Sequence, residues 1–233
     1  MPEVWRVVSD ARIVVATPVA GAAVWDARVT LGYAENLRWL GKEVPIEAVV
    51  GVGDDVVRSR NRLAHIALHE FPRMTHVLWW DEDNWPEDRG CVPRMIALGV
   101  DVVGAPYTRK MSPTTWVHQL LDPCPPPQGE LQEVRAVGLG FTLTSRRCLE
   151  HMSAAHRRYT DWPRHDRLAD LFGLLFEQPG TSTDPEDEAL RSEDYSFCLR
   201  WRQMGGAVYV YTKAGRIWHS GTKAWSAGDM VRP

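Results

Sequence analysis

His76-Val77-Leu78-Trp79-Trp80-Asp81-Glu82-Asp83-Asn84 is the stretch from which the rest of the chain is read. Val77–Trp80 is an apolar run of strand length, too short for a helix, so it reads as a buried strand. The switch to three acids marks where that strand leaves the sheet. Upstream, Arg12–Thr17 reads as another strand, broken by Pro18, and Glu47–Val52 as a second. Between them, Val24–Leu40 carries Val29, Tyr33, Leu37 and Leu40 on one helical stripe, with Gly41 as a stop. Asp54 and Asp55 suit the start of a helix over Val56–His69, which Pro72 ends. Downstream, Asn84 is expected to cap a helix with Pro86 in its first turn and Gly99 past its end. Asp101–Pro106 reads as the next strand.

Strand-then-helix units in this order require a largely parallel sheet with helices on its faces. Beyond Pro106 the alternation degrades. Arg109–Arg135 holds five prolines and reads as loop, with one short strand around Trp116. Val137–Thr144 reads as a strand bent at glycines, and a helix begins at Ser145. Gln178–Glu188 is acidic, broken by Pro179 and Pro185, and expected to be a mobile loop. Ser192–Met204 makes a further helix closed by Gly205-Gly206, and Val208–Thr212 a last strand. The tail from Arg216 shows no period. The expectation is one mixed α/β domain, its second half an antiparallel addition to the same sheet.

Composition narrows the class. The chain has 233 residues with 44% hydrophobic and 24% charged, which suits one well-filled domain and excludes wholesale disorder. A net charge of −3 gives no reason to expect duplex nucleic-acid binding or a polybasic membrane attachment. Cys91, Cys124, Cys148 and Cys198 show neither zinc nor disulfide spacing. There is no signal-peptide pattern at the start and no apolar run of membrane-spanning length, so a cytoplasmic, soluble protein is expected. Eleven tryptophans suggest a core or a flat ligand surface rich in indole.

Four clusters could carry chemistry. In open α/β sheets, ligands bind beside the carboxyl ends of strands, where Asp81-Glu82-Asp83 falls. Adjacent acids there call for a counter-charge, and Mg2+ or Mn2+ prefers oxygen ligands while keeping positions for phosphate. A solvated helix N-terminus is the alternative reading. In Arg58-Ser59-Arg60-Asn61-Arg62 at most Arg58 and Arg62 share a helix face, and one arginine could reach Asp81 or a phosphate. Ser192-Glu193-Asp194 opens a helix as a cap with two first-turn acids, either of which could serve as a general base. Trp218-His219-Ser220-Gly221-Thr222-Lys223-Ala224-Trp225 could fold over a charged ligand, with His219 on a metal and Lys223 on a phosphate.

In order and spacing, these pieces resemble the GT-A-fold, nucleotide-sugar-dependent glycosyltransferases, over roughly Arg12–Trp225. The resemblance implies a single Rossmann-like domain: a nucleotide-binding half at about 12–106, and an acceptor and metal half at about 107–225 that ends in a lid. Thr17-Pro18-Val19 occupies the turn that holds base and ribose, and Arg58-Ser59-Arg60-Asn61 resembles the family's Arg-x-x-Asn helix start. Asp81-Glu82-Asp83 matches its D-x-D motif, which implies that Asp81 contacts ribose or sugar and Asp83 a divalent cation. Gly138-Leu139-Gly140-Phe141 resembles the strand that approaches donor or acceptor. Glu193-Asp194 resembles the acid pair of inverting members, with Asp194 the implied base and Glu193 in support. His219 matches a C-terminal metal ligand. His219-x-Gly221-x-Lys223-x-Trp225 resembles a longer segment of retaining members, with one residue fewer in both gaps and no proline. The implied activity is sugar transfer from a UDP- or GDP-sugar to an acceptor hydroxyl, with Mn2+ or Mg2+. A bound cation and a basic side chain would stabilise the leaving phosphate.

Three other readings stand beside it. A nucleotidyltransferase needs a basic, glycine-rich loop after the first strand, whereas Ala16–Ala23 has only Gly21 and no Lys or Arg. A two-metal phosphoesterase would use more ligands, and His65, His69 and His76 fit no ligand pattern. A non-catalytic sugar- or nucleotide-binding domain is the third. Of the tryptophans, Trp85, Trp218 and Trp225 could pack on sugar, and core packing suits Trp79 and Trp80 better.

Overall fold

The computed structural model describes residues 10–20, 27–53, 55–111, 114–162, 164–177 and 189–219. The first half alternates as its pattern requires. Strand β1 (Ile13–Ala20), helix α1 (Ala27–Glu43), strand β2 (Ile46–Gly53), helix α2 (Val56–Glu70) and strand β3 (His76–Trp80) follow one another. The expected helix start at Val24 lies outside the described residues. Strand β1 runs through Pro18 rather than breaking there. β3 pairs only Ile13–Ala16, so from Thr17 onward one edge of β1 is open, where a residue without an N–H is tolerated. The Asp55 side chain caps α2 by accepting from the Val57 N–H at 2.8 Å.

After β3 the expectation of a helix capped by Asn84 fails. Asn84–Pro86 forms a short strand, β4, and the helix α3 starts later, at Cys91–Ala97, behind Gly90. Asn84 is drawn into β4 by strand β14 (Ile217–His219), which lies in the tail that shows no period. The proline-rich segment, expected to be loop, also holds strands β6 (Gln119–Leu120) and β7 (Leu131–Ala136), while Trp116 makes only an isolated bridge to Thr108. Strand β5 (Val102–Gly104) precedes it, and strand β8 (Phe141–Ser145) follows, shorter than the expected Val137–Thr144. Ser145 caps helix α4 (Arg146–Ala155). The remaining elements are β9 (Arg158–Asp161), β10 (Asp166–Ala169), β11 (Leu175–Glu177), β12 (Ala189–Arg191), α5 (Glu193–Gln203) and β13 (Val208–Tyr211).

Among the described residues the main sheet has eight strands, in the order β2-β1-β3-β8-β5-β13-β7-β6. β1, β2 and β3 are parallel, as are β5 and β13. β8 is antiparallel to both of its neighbours, and it lies inside the sheet between β3 and β5 rather than at an edge. β7 then runs antiparallel to β13, and β6 to β7. This is a mixed α/β, Rossmann-like domain with helices on both faces. The alternation of β3 shows the two layers directly. Val77 and Trp79 join the core under α2, α4 and α5, whereas Leu78 and Trp80 join the one with Tyr33 and α3. Both indoles are buried and satisfied, Trp79 on the Thr144 hydroxyl at 3.1 Å and Trp80 on the Asn84 carbonyl at 2.6 Å, so both are core residues.

Candidate active site

The carboxyl end of β3 opens into a cavity of about 200 Å3, lined by Pro18, Val19, Arg60, Asp81, Asp83, Glu193 and His219 among others. Each arrives on a different element for a local reason. β3 ends partway along β1, because their register starts together at Ile13 and His76 and β1 is the longer strand, so Pro18 and Val19 continue beside the strand exit. Asp81 is held at the strand exit by its N–H on the Gly140 carbonyl (2.9 Å), and its own carbonyl accepts from the Asn84 N–H (3.0 Å). Gly140 has no room for a side chain, since a Cβ there would lie 2.5 Å from Asn84 Nδ2 and 2.6 Å from the Tyr107 hydroxyl. Gly138-Leu139-Gly140-Phe141 therefore packs against protein, and its glycines serve the close passage of the chain. Pairing of β4 with β14 sets His219 opposite Asn84 and Trp218 opposite Trp85, whose rings stack at 6.2 Å.

The electrostatics centre on Arg60. Its side chain is 3% exposed, and Nη2 donates to Asp81 Oδ1 at 2.9 Å, with Nε 3.6 Å from Glu193 Oε1. Nε and Nη1 make no hydrogen bond among the described residues. Burial opposes the charge on Arg60, but Asp81, Glu193 and Asp194 outweigh it and keep the guanidinium protonated. Asp81 is pushed up to about 6, because burial, and then the neighbouring acids, exceed the help it receives from Arg60. Glu193 is also raised, chiefly by burial.

Asp83 has its own cation. Lys110 sits on Asp83 Oδ2, and Asn84 Nδ2 donates to Oδ1 at 3.2 Å. His219 donates from Nδ1 to the Thr108 carbonyl at 2.7 Å, which leaves Nε2 as the lone-pair nitrogen, 3.6 Å from Asp83 Oδ1. Burial holds the His219 pKa below its ordinary value, with Asp83 pulling the other way. A neutral imidazole beside a carboxylate is a pair of donors suited to a divalent cation that draws its other ligands from phosphate and water. Among the described residues no group of three or more His, Cys, Asp or Glu side chains is arranged to hold a metal ion.

The sequence-predicted residues divide. Pro18, Val19, Asp81, Asp83, Glu193 and His219 come together in the cavity. Thr17 does not line it: the residue is buried, its hydroxyl 2.7 Å from that of Tyr33. Arg58 and Asn61 are corrected in place. Arg58 pairs with Asp161, while Asn61 is buried, donating toward Tyr159 and accepting from the Leu171 N–H at 2.8 Å. The arginine that reaches Asp81 is Arg60, and the pattern held a signal for it. Arg60 precedes Leu63, Ala64 and Ala67 on the buried stripe of α2, whereas Arg58 and Arg62 lie off that stripe. Asp194, expected to be the base, is not among the lining residues. Its Oδ1 accepts from the Ser192 hydroxyl and from the Tyr195 N–H (2.7 Å). Lys110 comes from an irregular segment and had no signal. Lys223, Trp225 and the Gln178–Glu188 loop lie outside the described residues.

Fold and site together define a Rossmann-like α/β domain with a charged cleft at the strand ends. No family model and no curated protein matches the chain. Among solved structures it is similar to the one titled "Crystal Structure of A197 from STIV", with a TM-score of 0.53 at 17% identity, over 90% of this chain and 86% of that one. At that identity the likeness is one of fold. Among the described residues no helix is long and apolar enough to cross a membrane.

Proposed function

We propose that the chain is a GT-A-like glycosyltransferase that moves a sugar from a nucleoside-diphosphate sugar to an acceptor hydroxyl. The observation that carries this reading is Arg60, a buried guanidinium whose Nε and Nη1 make no hydrogen bond among the described residues, in the lining of the cavity that also holds Asp81, Asp83, Glu193 and His219. A buried donor fork with free N–H groups fits phosphate oxygens, and it stabilises the charge that develops on a leaving diphosphate. Pro18 and Val19 form the wall where the resemblance implies a base and ribose.

Asp83 and His219 would hold a divalent cation, Mn2+ or Mg2+, which when bound supplies further positive charge to the leaving phosphates. Lys110 then leaves Asp83 and is free for a phosphate. Asp81 orients Arg60 and accepts from a donor hydroxyl. Glu193 is the better-placed carboxylate to take the acceptor proton, because it faces the cavity while one Asp194 oxygen is engaged at the helix start.

Calorimetry with UDP and GDP, with and without Mn2+, tests the binding half of the proposal. Cation-dependent binding that Asp83→Ala abolishes is the expected result. Equal affinity in chelator for both proteins removes the cation's role. Failure of every nucleotide sugar to yield free nucleoside diphosphate with any hydroxyl acceptor removes the transferase.

A further inference from the structure

The β9–β10 hairpin takes no part in the cavity. It is held to the outer side of α2, where Asp161 receives Arg58 (2.5 Å) and Arg62 (2.5 Å) and its side chain is fully buried. Asn61 donates to the Tyr159 hydroxyl at 3.2 Å, and Arg157 pairs with Asp170 at 2.8 Å. Arg58 and Arg62 each lie two positions from Arg60, roughly 200° around the helix, so the hairpin stands on the far side of α2 from the site.

These contacts use the acids Asp161 and Asp170 and leave basic and aromatic groups facing outward. Trp162, at the turn, is 69% exposed. Arg158, Arg164 and Arg167 are exposed, and none forms an ion pair among the described residues. Asp166 is the one other acid on the hairpin. His165, at φ 62°, sets its ring edge-on to Trp162 at 4.5 Å and so fixes the indole at the turn. The chain that follows also leaves apolar groups in solvent: Leu174, and Phe176 opposite Leu190 in the β11–β12 pair.

An exposed indole on a clamped turn, on a hairpin that also carries three exposed arginines, matches the headgroup region of an anionic bilayer. Indole is favoured at that boundary, and arginine forks pair with lipid phosphate. The net charge of −3 does not oppose this, because a surface senses charge only over about a Debye length, ~10 Å. A single-stranded nucleic acid would ask instead for several stacking rings along a basic groove, and one ring at a hairpin tip does not supply that.

We propose that the β9–β10 hairpin is a peripheral docking element for an anionic lipid surface. Trp162 enters the headgroup layer, and Arg158, Arg164 and Arg167 hold lipid phosphates. The cavity, across α2, stays open. The proposal is independent of the transferase reading. Its test is cosedimentation of the full chain with vesicles of phosphatidylcholine alone and of phosphatidylcholine mixed with phosphatidylglycerol, at low and high salt. Wild type should bind the mixed vesicles, weaken with salt, and ignore the neutral ones. Replacing Arg158, Arg164 and Arg167 together by glutamine should lower that affinity on the order of a hundredfold, with Trp162→Ala lowering it about tenfold. Both variants change exposed positions, and unchanged circular dichroism and melting temperature confirm that they fold. Absence of wild-type binding at low salt overturns the proposal, as does unaltered binding by the folded arginine variant. Preference for single-stranded oligonucleotide over the mixed vesicles overturns it too.

Discussion

Helix α2 presents two arginine faces within five residues, and they differ in how completely their charges are answered. On the outer face, Arg58 and Arg62 converge on Asp161, whose pKa is held low because two guanidinium groups outweigh its burial. On the inner face, Arg60 meets several acids at once, Asp81 is pushed up to about 6, and two guanidinium nitrogens make no hydrogen bond among the described residues. One arrangement is saturated and ties a hairpin to the core. The other is under-satisfied and opens into a cleft. Unmet hydrogen-bonding capacity in a buried position is costly to keep, and that cost is why the proposed function rests on Arg60.

The sharpest way to break that comparison is to alter Arg60. Arg60→Lys keeps the charge but loses the fork, so turnover should fall on the order of a hundredfold to a thousandfold while stability stays within about 1 kcal/mol. Steady-state rates and a thermal melt on the same preparation decide it. A comparable loss in melting temperature with normal turnover would make Arg60 a structural residue. Next in size is the pair of acids at the start of α5. Glu193→Gln should lower turnover about a hundredfold with nucleotide binding near normal. Asp194→Asn should cost at most about 1 kcal/mol, the scale of a first-turn charge, and little activity. The opposite ranking would return the base role to Asp194. Product anomer analysis belongs with both, because a retaining mechanism needs no such base.

On the outer face the expectations invert. Asp161→Ala should cost about 2 kcal/mol, since the two arginines it abandons can turn to solvent, while turnover per folded molecule is preserved. Urea unfolding measures the first and initial rates the second.

The smallest effect is a difference in sign with pH. Asp81 binds its proton more tightly folded than unfolded, because its pKa rises from 3.8 to about 6. Its contribution to stability therefore falls as pH climbs between those values. Asp161 is lowered, so its contribution is present above the ordinary carboxylate range and is lost as pH falls through its depressed value. Denaturation curves for wild type and Asp81→Asn between pH 4 and 6.5 isolate the first of these. Parallel curves would show that Asp81 is not perturbed.

Much of the framework was legible because it is written in local pattern. The apolar run Val77–Trp80 and the Tyr33, Leu37 and Leu40 stripe of α1 each state a period, and Ser145 and Asp55 are cap residues in the right places. Asp81 and Asp83 were found because charge ends a buried strand abruptly. Misreadings fell where a local preference lost to a distant partner. Asn84 is a good helix cap, yet Ile217–His219 claims it for a strand. Arg58 and Asn61 matched a motif by spacing, yet helical geometry turns Arg58 outward and packs Asn61 against residues 171 and 172.

What the sequence determined by itself is the kind and order of the elements up to β3, the apolar stripe of α1 and the acids at the end of β3, all set by neighbours within a few positions. Only the tertiary structure decided that β8 enters between β3 and β5, that β14 carries His219 to Asp83, and that Lys110 supplies that acid's counter-charge. These pairings join residues 27 to 136 positions apart, from Asp83–Lys110 to Asp83–His219. They depend on which strand edges remain open once the local elements have formed, and no short window of sequence carries that information.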